Sequence, residues 1–576
     1  MPGLRSFRAL SLGVALLCCC WDVGPLGANA SPSPEKSDTV GGTVLNSVTH
    51  RPVGRALVYS QDNRFATLTD SAGHFEFKVP SSEAEGRSEG PIPSASPLGT
   101  SPAGEASPPI FVMARKPGFL SDPNTPATQL NPGQKDVTIY LTPEALIVGR
   151  VTLAGADSPE RVQVEIYRRQ VRDGRARWTS AGTFRTWSNG EFRFPELSPG
   201  TYKLFTQEVM DRDPLTFNPR GQLYGYPPWY FPGANSFAAG SPIQLTAGMT
   251  FDADLTPRRR EYYPVDVGIT NAPEGVGVGV EVSAGGQGGP GYSLGYNPQA
   301  RKIQGFLPDG TYTVEVSTFG QPGETGIAYI SVKGAAATGY AVTLAANASI
   351  SVNATEEFTS AEGAGDGLQS LGGGNPGRAR SLQVMLEPAD EFGPGGSAAP
   401  LRQPSGPEDE SLILENVKPG RYWVHVDSAR GFAASIKCGE TDLVRHPLVV
   451  PAGGTTDPIE VTLRDDGAGI EGAVENVPAV PGSSRTPAAQ PPHIYLIPSP
   501  DSTGQFREAW ASPDGTFSLA QIPPGDYQIL AFDRPQPELE YRNEEAMRKY
   551  ESREQEIRLL PGQNARLRVH MILGSE

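Results

Sequence analysis

Six histidines, His50, His74, His425, His446, His493 and His570, are where metal chemistry would begin in this sequence. Catalytic zinc takes about three protein ligands converging on one ion. Here the histidines are scattered singly, and none is followed by Glu three residues later. Each therefore reads as an ordinary strand or surface histidine. Glycoside hydrolysis would need two carboxylates facing each other across a cleft. Asp252 and Asp254 alternate on one strand face, and Asp211 with Asp213 sit in a loop where calcium is conceivable, but no oxygen-rich loop signature accompanies them. Solvation is the simpler reading. No G-x-S-x-G elbow set between a strand and a helix is found, and the glycines Gly286, Gly288 and Gly291 fit G-x-G-x-x-G without a helix behind them to hold a pyrophosphate. A hairpin loop is expected there. Cys438, flanked by Lys437 and Gly439 with no histidine nearby, reads as a small buried filler rather than a reactive thiol.

One group of side chains does point to binding: Tyr224, Tyr226, Trp229, Tyr230 and Phe231, gathered among prolines in a long connection. Flat rings on a rigid loop can stack on the apolar faces of sugars with little entropy to lose. The other reading is that the group packs across its own domain or joins two domains together. Neither catalytic residue, metal nor cofactor is assigned by these patterns.

What must position such residues is a repeated unit. At roughly 100–200 residues per domain, 576 residues imply three to six domains. The 67 glycines and 56 prolines promise many turns and few long helices. One phrase recurs four times: F-R-F-P-E-L-S-P-G-T-Y-K-L from Phe192, I-Q-G-F-L-P-D-G-T-Y-T-V from Ile303, L-I-L-E-N-V-K-P-G-R-Y-W-V from Leu412 and F-S-L-A-Q-I-P-P-G-D-Y-Q-I from Phe517. The glycines Gly200, Gly310, Gly420 and Gly525 lie 110, 110 and 105 residues apart, the size of one β-sandwich. Pro then Gly suits the centre of a type II turn between two strands. Tyr202, Tyr312, Tyr422 and Tyr527 are then expected to bury their rings and turn their hydroxyls to nearby backbone, a tyrosine corner.

A second signal precedes the phrase: Asp70-Ser71-Ala72-Gly73-His74-Phe75, Ser188-Asn189-Gly190-Glu191-Phe192 and Pro513-Asp514-Gly515-Thr516-Phe517. Asn-Gly and Asp-Gly read as hairpin turns with both central residues at positive φ. Period two dominates the intervening segments, so strands are expected throughout. Polar, small-residue stretches at 81–109, 361–380, 392–410 and 478–492 read as surface loops. Residues 539–556, dense in Glu, Arg and Lys, form the one helix candidate, and its mixed charge predicts a solvated helix.

The first thirty residues read as a secretory signal, with Arg5 and Arg8, an apolar run from Ala9 to Cys20 and a small-residue site at Ala28-Asn29-Ala30. That run is too short to span a bilayer, so an exported chain without a transmembrane span is expected. Leu17 before Cys18 is a poor lipoprotein cleavage residue, which argues against a lipid anchor. Loss of the signal removes three of four cysteines and leaves no internal disulfide. The net charge of −16 repels phosphate backbones, so nucleic acid is not an expected partner.

With Gly42-Thr43-Val44, Ala56-Leu57-Val58, Thr69 to Phe75, Pro199-Gly200-Thr201-Tyr202, and the Gly149-Arg150-Val151 and Gly472-Ala473-Val474 openings in hand, the chain resembles tandem carboxypeptidase regulatory-like domains. These are transthyretin-like, seven-stranded sandwiches grouped with starch-binding-like folds. The segment from Tyr226 to Gly233 is similar to one carried by large exported bacterial proteins built from such modules. The resemblance implies an all-β chain of tandem immunoglobulin-like or transthyretin-like β-sandwiches with low-complexity loop inserts. It imports no peptidase chemistry, because that activity belongs to a separate catalytic domain. The expected division is a signal peptide at 1–30 and sandwiches at 38–143, 144–257, 258–345, 346–465 and 467–574, the last with the short helical insert. An elongated, exported, non-enzymatic binding protein is expected, recognising carbohydrate or a cell-envelope polymer through its loops. The sugar assignment follows from fold analogy. The rival is a structural or adhesive rod with protein partners at sheet edges and no glycan affinity.

Overall fold

The computed structural model describes residues 37–573 apart from 81–109, 121–126, 131–133, 156, 211–221, 272–273, 286–290, 321, 360–381, 393–400, 403–410, 476–490 and 513. The signal segment, Asp211 and Asp213, residues 286–290 of the glycine run and nearly all of the four low-complexity stretches lie outside the described residues. What remains is almost entirely β. Alternation of apolar and polar residues sets the strands, as in Val137–Leu141 and Ile459–Arg464, where every second side chain is buried. The apolar faces close into five successive cores within residues 40–141, 145–255, 265–344, 348–463 and 468–572, referred to below as units one to five.

All five share one plan. The opening strand of each unit pairs in parallel with its closing strand, as Gly42–Asn46 does with Val137–Leu141 and Gly469–Glu475 with Asn564–His570. It also pairs antiparallel with the strand that leads into the corner, Pro-Gly in units two, four and five and Asp309-Gly310 in unit three. In units two to four the chain enters the other sheet after the corner, and in unit five the strands on either side of the corner lie apart within one seven-stranded sheet joined through Asn564–Ile572.

Packing explains the glycine of the opening motif. Phe75, Phe192 and Phe517, each just after a turn glycine, stand opposite Gly42, Gly149 and Gly472 in the ladder. A Cβ on Gly149 would fall 2.7 Å from the Phe192 ring, and one on Gly472 would fall 2.4 Å from Phe517. The ring occupies the space a side chain would need. Val44, Val151 and Val474, two residues on, donate their N–H groups to the carbonyls of Gly73, Gly190 and Gly515. The two motifs, distant in sequence, are thus halves of one contact.

The turns differ from expectation. In the Asp-Gly and Asn-Gly turns only the glycines have positive φ, 76° at Gly73, 82° at Gly190 and 83° at Gly515. Asp70, Asn189 and Asp514 instead accept backbone N–H groups two residues ahead through their side chains. At the corners no type II geometry is found: Gly200 and Gly420 have φ of 149° and 158°, and Gly310 and Gly525 are not at positive φ. The helix candidate also shrinks, to Glu544–Met547 and a 3-10 turn Arg548–Tyr550. Leu539, Met547 and Tyr550 bury against Tyr495, Leu530 and Phe532. Its charges had masked those apolar anchors.

Candidate functional site

Each corner tyrosine is buried, and each donates its hydroxyl to the carbonyl four residues earlier. Tyr202 reaches Ser198 at 2.7 Å, Tyr312 reaches Pro308 at 2.9 Å, Tyr422 reaches Lys418 at 2.9 Å and Tyr527 reaches Pro523 at 2.5 Å. The ring folds back over the corner, so a Cβ on Gly310 would sit 2.9 Å from the Tyr312 hydroxyl and one on Gly420 would sit 3.3 Å from that of Tyr422. Burial pushes the Tyr422 and Tyr527 phenols up to about 12. These groups are structural.

Sequence reading missed the residue four before the glycine. Glu196, Asn416 and Gln521 have φ of 57°, 60° and 54°, and a register shift accompanies each against the opening strand. Each is a β-bulge that aims the chain into the corner. Unit three has no such shift between its opening strand and Lys302–Pro308. The available signal was a polar residue between apolar ones in F-P-E-L, L-E-N-V and L-A-Q-I.

The aromatic group is not a solvent-facing platform. Leu223–Tyr226 pairs with Tyr262, Glu261 and Arg260 of unit three, whereas Trp229–Tyr230 pairs with Thr206 and Phe205 of unit two. The segment is stitched into two sheets at once. Tyr226, Trp229 and Tyr230 are only 2%, 7% and 5% exposed. Tyr226 donates to Asp157 at 2.5 Å, Tyr230 stacks on Phe205 at 5.0 Å, and Phe231 meets Phe251 edge-on at 5.8 Å. Arg258 lies 5.8 Å from the Trp229 ring and Arg259 lies 4.6 Å from that of half-buried Tyr224. The ring faces expected to meet a sugar meet protein, because apolar area this large is worth more buried at a junction than left to solvent.

Beside this staple lies Glu208, whose N–H bonds the Gly291 carbonyl and whose carboxylate accepts from the Ser293 backbone and hydroxyl at 3.4 Å. Burial pushes it up to about 7. Tyr262, Tyr292 and Tyr312 surround it, with Arg260 near Tyr292.

A second junction is larger. The hairpin of Gln163–Arg172 and Arg175–Arg185 leaves unit two and enters units four and five. At its tip Asp173 accepts the Tyr541 hydroxyl and pairs with Arg542 at 3.0 Å and Arg175 at 2.7 Å. Gly174 lies flat on the Tyr541 ring, which itself stacks on Phe506 at 4.2 Å. Arg175 sits 3.5 Å over Trp423, Arg169 pairs with Glu540 at 2.5 Å, and Phe237 meets Phe392 at 4.3 Å. Buried Arg177 is 3.3 Å from Glu387, which His425 also holds at 3.0 Å. Burial works to raise Glu387, but His425, Arg177 and Arg172 outweigh it and hold the carboxyl below its usual range. The chain therefore folds back on itself: unit two touches units three, four and five, and the elongated string expected from sequence is not what forms.

Fold and site together define a chain of tandem β-sandwiches interlocked through unit two. Among the described residues no group of three or more His, Cys, Asp or Glu side chains is placed to hold a metal ion, and no helix is long and apolar enough to cross a membrane. No protein-family profile and no curated protein matches the chain. Among solved structures it is similar to the TIE protein of Bacillus anthracis, at 8% identity over 94% of this chain and 68% of that one, with a TM-score of 0.14. It is also similar to GBS52, the minor pilin of Streptococcus agalactiae, at 14% over 38% and 95% with a TM-score of 0.18, and to the pilus adhesin SpaC of Lactobacillus rhamnosus GG, at 12% over 54% and 43% with a TM-score of 0.15. The assignment to tandem sandwiches rests on the strand pairing itself.

Proposed function

We propose that the protein is an exported, non-enzymatic surface protein of adhesive or structural type, built from five domains bounded near 38–143, 144–257, 258–345, 346–465 and 467–574. The observation that supports this most is the interlock. Side chains with perturbed ionisation, among them Glu208, Glu387, Glu540 and Tyr541, are spent on joining units rather than converging on a reaction centre. A body fixed in this way can bear load and hold its outer loops at constant separation. The resemblance to carboxypeptidase regulatory-like modules and the leader-like first thirty residues agree with export.

A second reading, recognition of carbohydrate or a cell-envelope polymer, follows by analogy from the resemblance to modules grouped with starch-binding-like folds. The mature chain immobilised on beads is expected to retain bacterial envelope fragments without turning over hydrolase substrates. Loss of retention after protease treatment of the fragments indicates a protein partner; loss after periodate oxidation indicates a polysaccharide. Failure to retain any fragment, or turnover that copurifies with the chain, overturns the proposal.

A further inference from the structure

Unit three departs from its neighbours: its corner lacks the bulge, and among the described residues it carries the two most exposed large apolar side chains, Phe319 at 77% and Tyr329 at 74%. At one end run strands of its two sheets, Val278–Ala284 and Gly295–Asn297. Between them lies a cleft of about 570 Å³, with Val276 and Val278 on one wall, Tyr296 and Pro298 on the other, and Glu274 with Arg301 at the lip. That volume is within the range of small-ligand sites, roughly 300–1,000 Å³.

The walls are held by regular structure. Tyr296 pairs with Ile303, Val278 pairs with Thr318, and the Arg301 carbonyl accepts the Ile269 N–H at 3.0 Å. Arg301 itself sits at φ 52°, the last residue of a turn that Asn297 organises by accepting the N–H groups of Gln299 and Ala300. Glycine would adopt that backbone more readily than arginine does. Its guanidinium meets the Glu274 carboxylate at 2.5 Å, and both remain exposed to the cleft mouth. On the outer side of the same wall Phe319 lies flat over Gly277 and Gly279, where any Cβ would collide with its ring, and its N–H bonds the Gly277 carbonyl.

We propose that this cleft is a saccharide-binding site for a neutral, hexopyranose-based polymer, a proposal that rests on the second reading above. A pyranose has an apolar face and a girdle of hydroxyls that both donate and accept. Tyr296 and Pro298 supply a flat apolar wall, Arg301 supplies donors and Glu274 supplies acceptors. Because the two charges neutralise each other at the lip, the cleft offers no net charge to a carboxylated or phosphorylated sugar. The net charge of −16 on the chain further disfavours polyanions. Phe319 provides a second stacking surface at the same end, suited to the next part of a chain rather than to a free monosaccharide.

The test passes the mature chain over starch, cellulose, chitin and xylan, with a polygalacturonate column as the anionic comparison, and measures affinity together with thermal melting. Retention on at least one neutral polymer is expected, with elution by its own oligosaccharide. Arg301→Gly, which suits the backbone at that position, and Phe319→Ala, at an exposed site, are each expected to weaken binding about tenfold or more without lowering the melting temperature. Tyr224→Ala, at the staple, is expected to leave binding unchanged. A retained parent with both cleft variants unaffected overturns the cleft while leaving polymer recognition standing. No retention on any neutral polymer overturns the cleft proposal while the envelope-fragment test decides the second reading, and preferential retention on polygalacturonate overturns the neutral class.

Discussion

At the scale of single residues the corners carry the clearest consequence. The Tyr527 hydroxyl donates to Pro523 and accepts the Gln505 N–H at 3.1 Å, so it satisfies two backbone groups in a buried place. Tyr527→Phe keeps the ring and strands both groups, and a loss of about 1–3 kcal/mol is expected, read as a lower melting temperature of the calorimetric transition that includes unit five. Tyr422→Phe strands only the Lys418 carbonyl and is expected to cost less. Equal losses in the two variants would show that the second bond contributes nothing. These corners were legible because Pro-Gly-x-Tyr is contiguous and chemically specific. The bulge residues Glu196, Asn416 and Gln521 were not, because positive φ at a Glu, Asn or Gln is imposed by the register of a partner strand tens of residues away. Nor does the string tell that Gly310 and Gly420 make room for the ring folding over them rather than for a type II turn.

At the scale of elements, the joint between units two and three contains an acid whose ionisation opposes the fold. Glu208 directly precedes the short strand Val209–Met210, which pairs with Leu223–Tyr226 and through it with unit three. Its carboxyl is raised by burial to about 7 from 4.5, so the folded joint binds a proton that the unfolded chain has released between those values. The joint is therefore fully stabilised below about pH 4.5 and loses on the order of 3 kcal/mol as pH rises through 7. Melting temperature is expected to fall over that window in the parent and to stay level in Glu208→Gln; a parallel fall in both would place the effect elsewhere. Sequence marked the neighbouring aromatic residues but not their role. Alternate strands of one segment joining different sheets is a tertiary event, and Tyr224 to Phe231 have the same composition whether their rings face a sugar or a core. The segment 539–556 misled for a related reason: three apolar anchors, Leu539, Met547 and Tyr550, determine where it packs, and the surrounding charges outnumber them.

At the scale of the whole molecule, the spacing of the repeat was readable but the arrangement of the units was not, since it depends on one hairpin longer than a sandwich requires. The tip at Asp173 and Gly174 meets Tyr541 and Arg542 of unit five, more than 360 residues away in sequence, while Arg177 and Trp178 engage unit four. Such distant partners leave no periodicity for a reader to detect. Unit one is placed differently: it continues into unit two through a short link where the Glu144 N–H bonds the Gly118 carbonyl, and among the described residues no ion pair joins it to the rest. Two heat transitions are therefore expected, a small one for unit one and a larger one in which units two to five unfold together, because domains with substantial shared interfaces melt as coupled bodies. Asp173→Ala removes the acceptor shared by Tyr541, Arg542 and Arg175 and leaves three donors at a partly buried contact. Splitting of the larger transition is expected, with an increase in the radius of gyration measured by small-angle scattering, while the sandwich cores keep their strand content by circular dichroism. Five separate transitions in the parent, or an unchanged radius in the variant, would show that the hairpin rests against the other units without binding them.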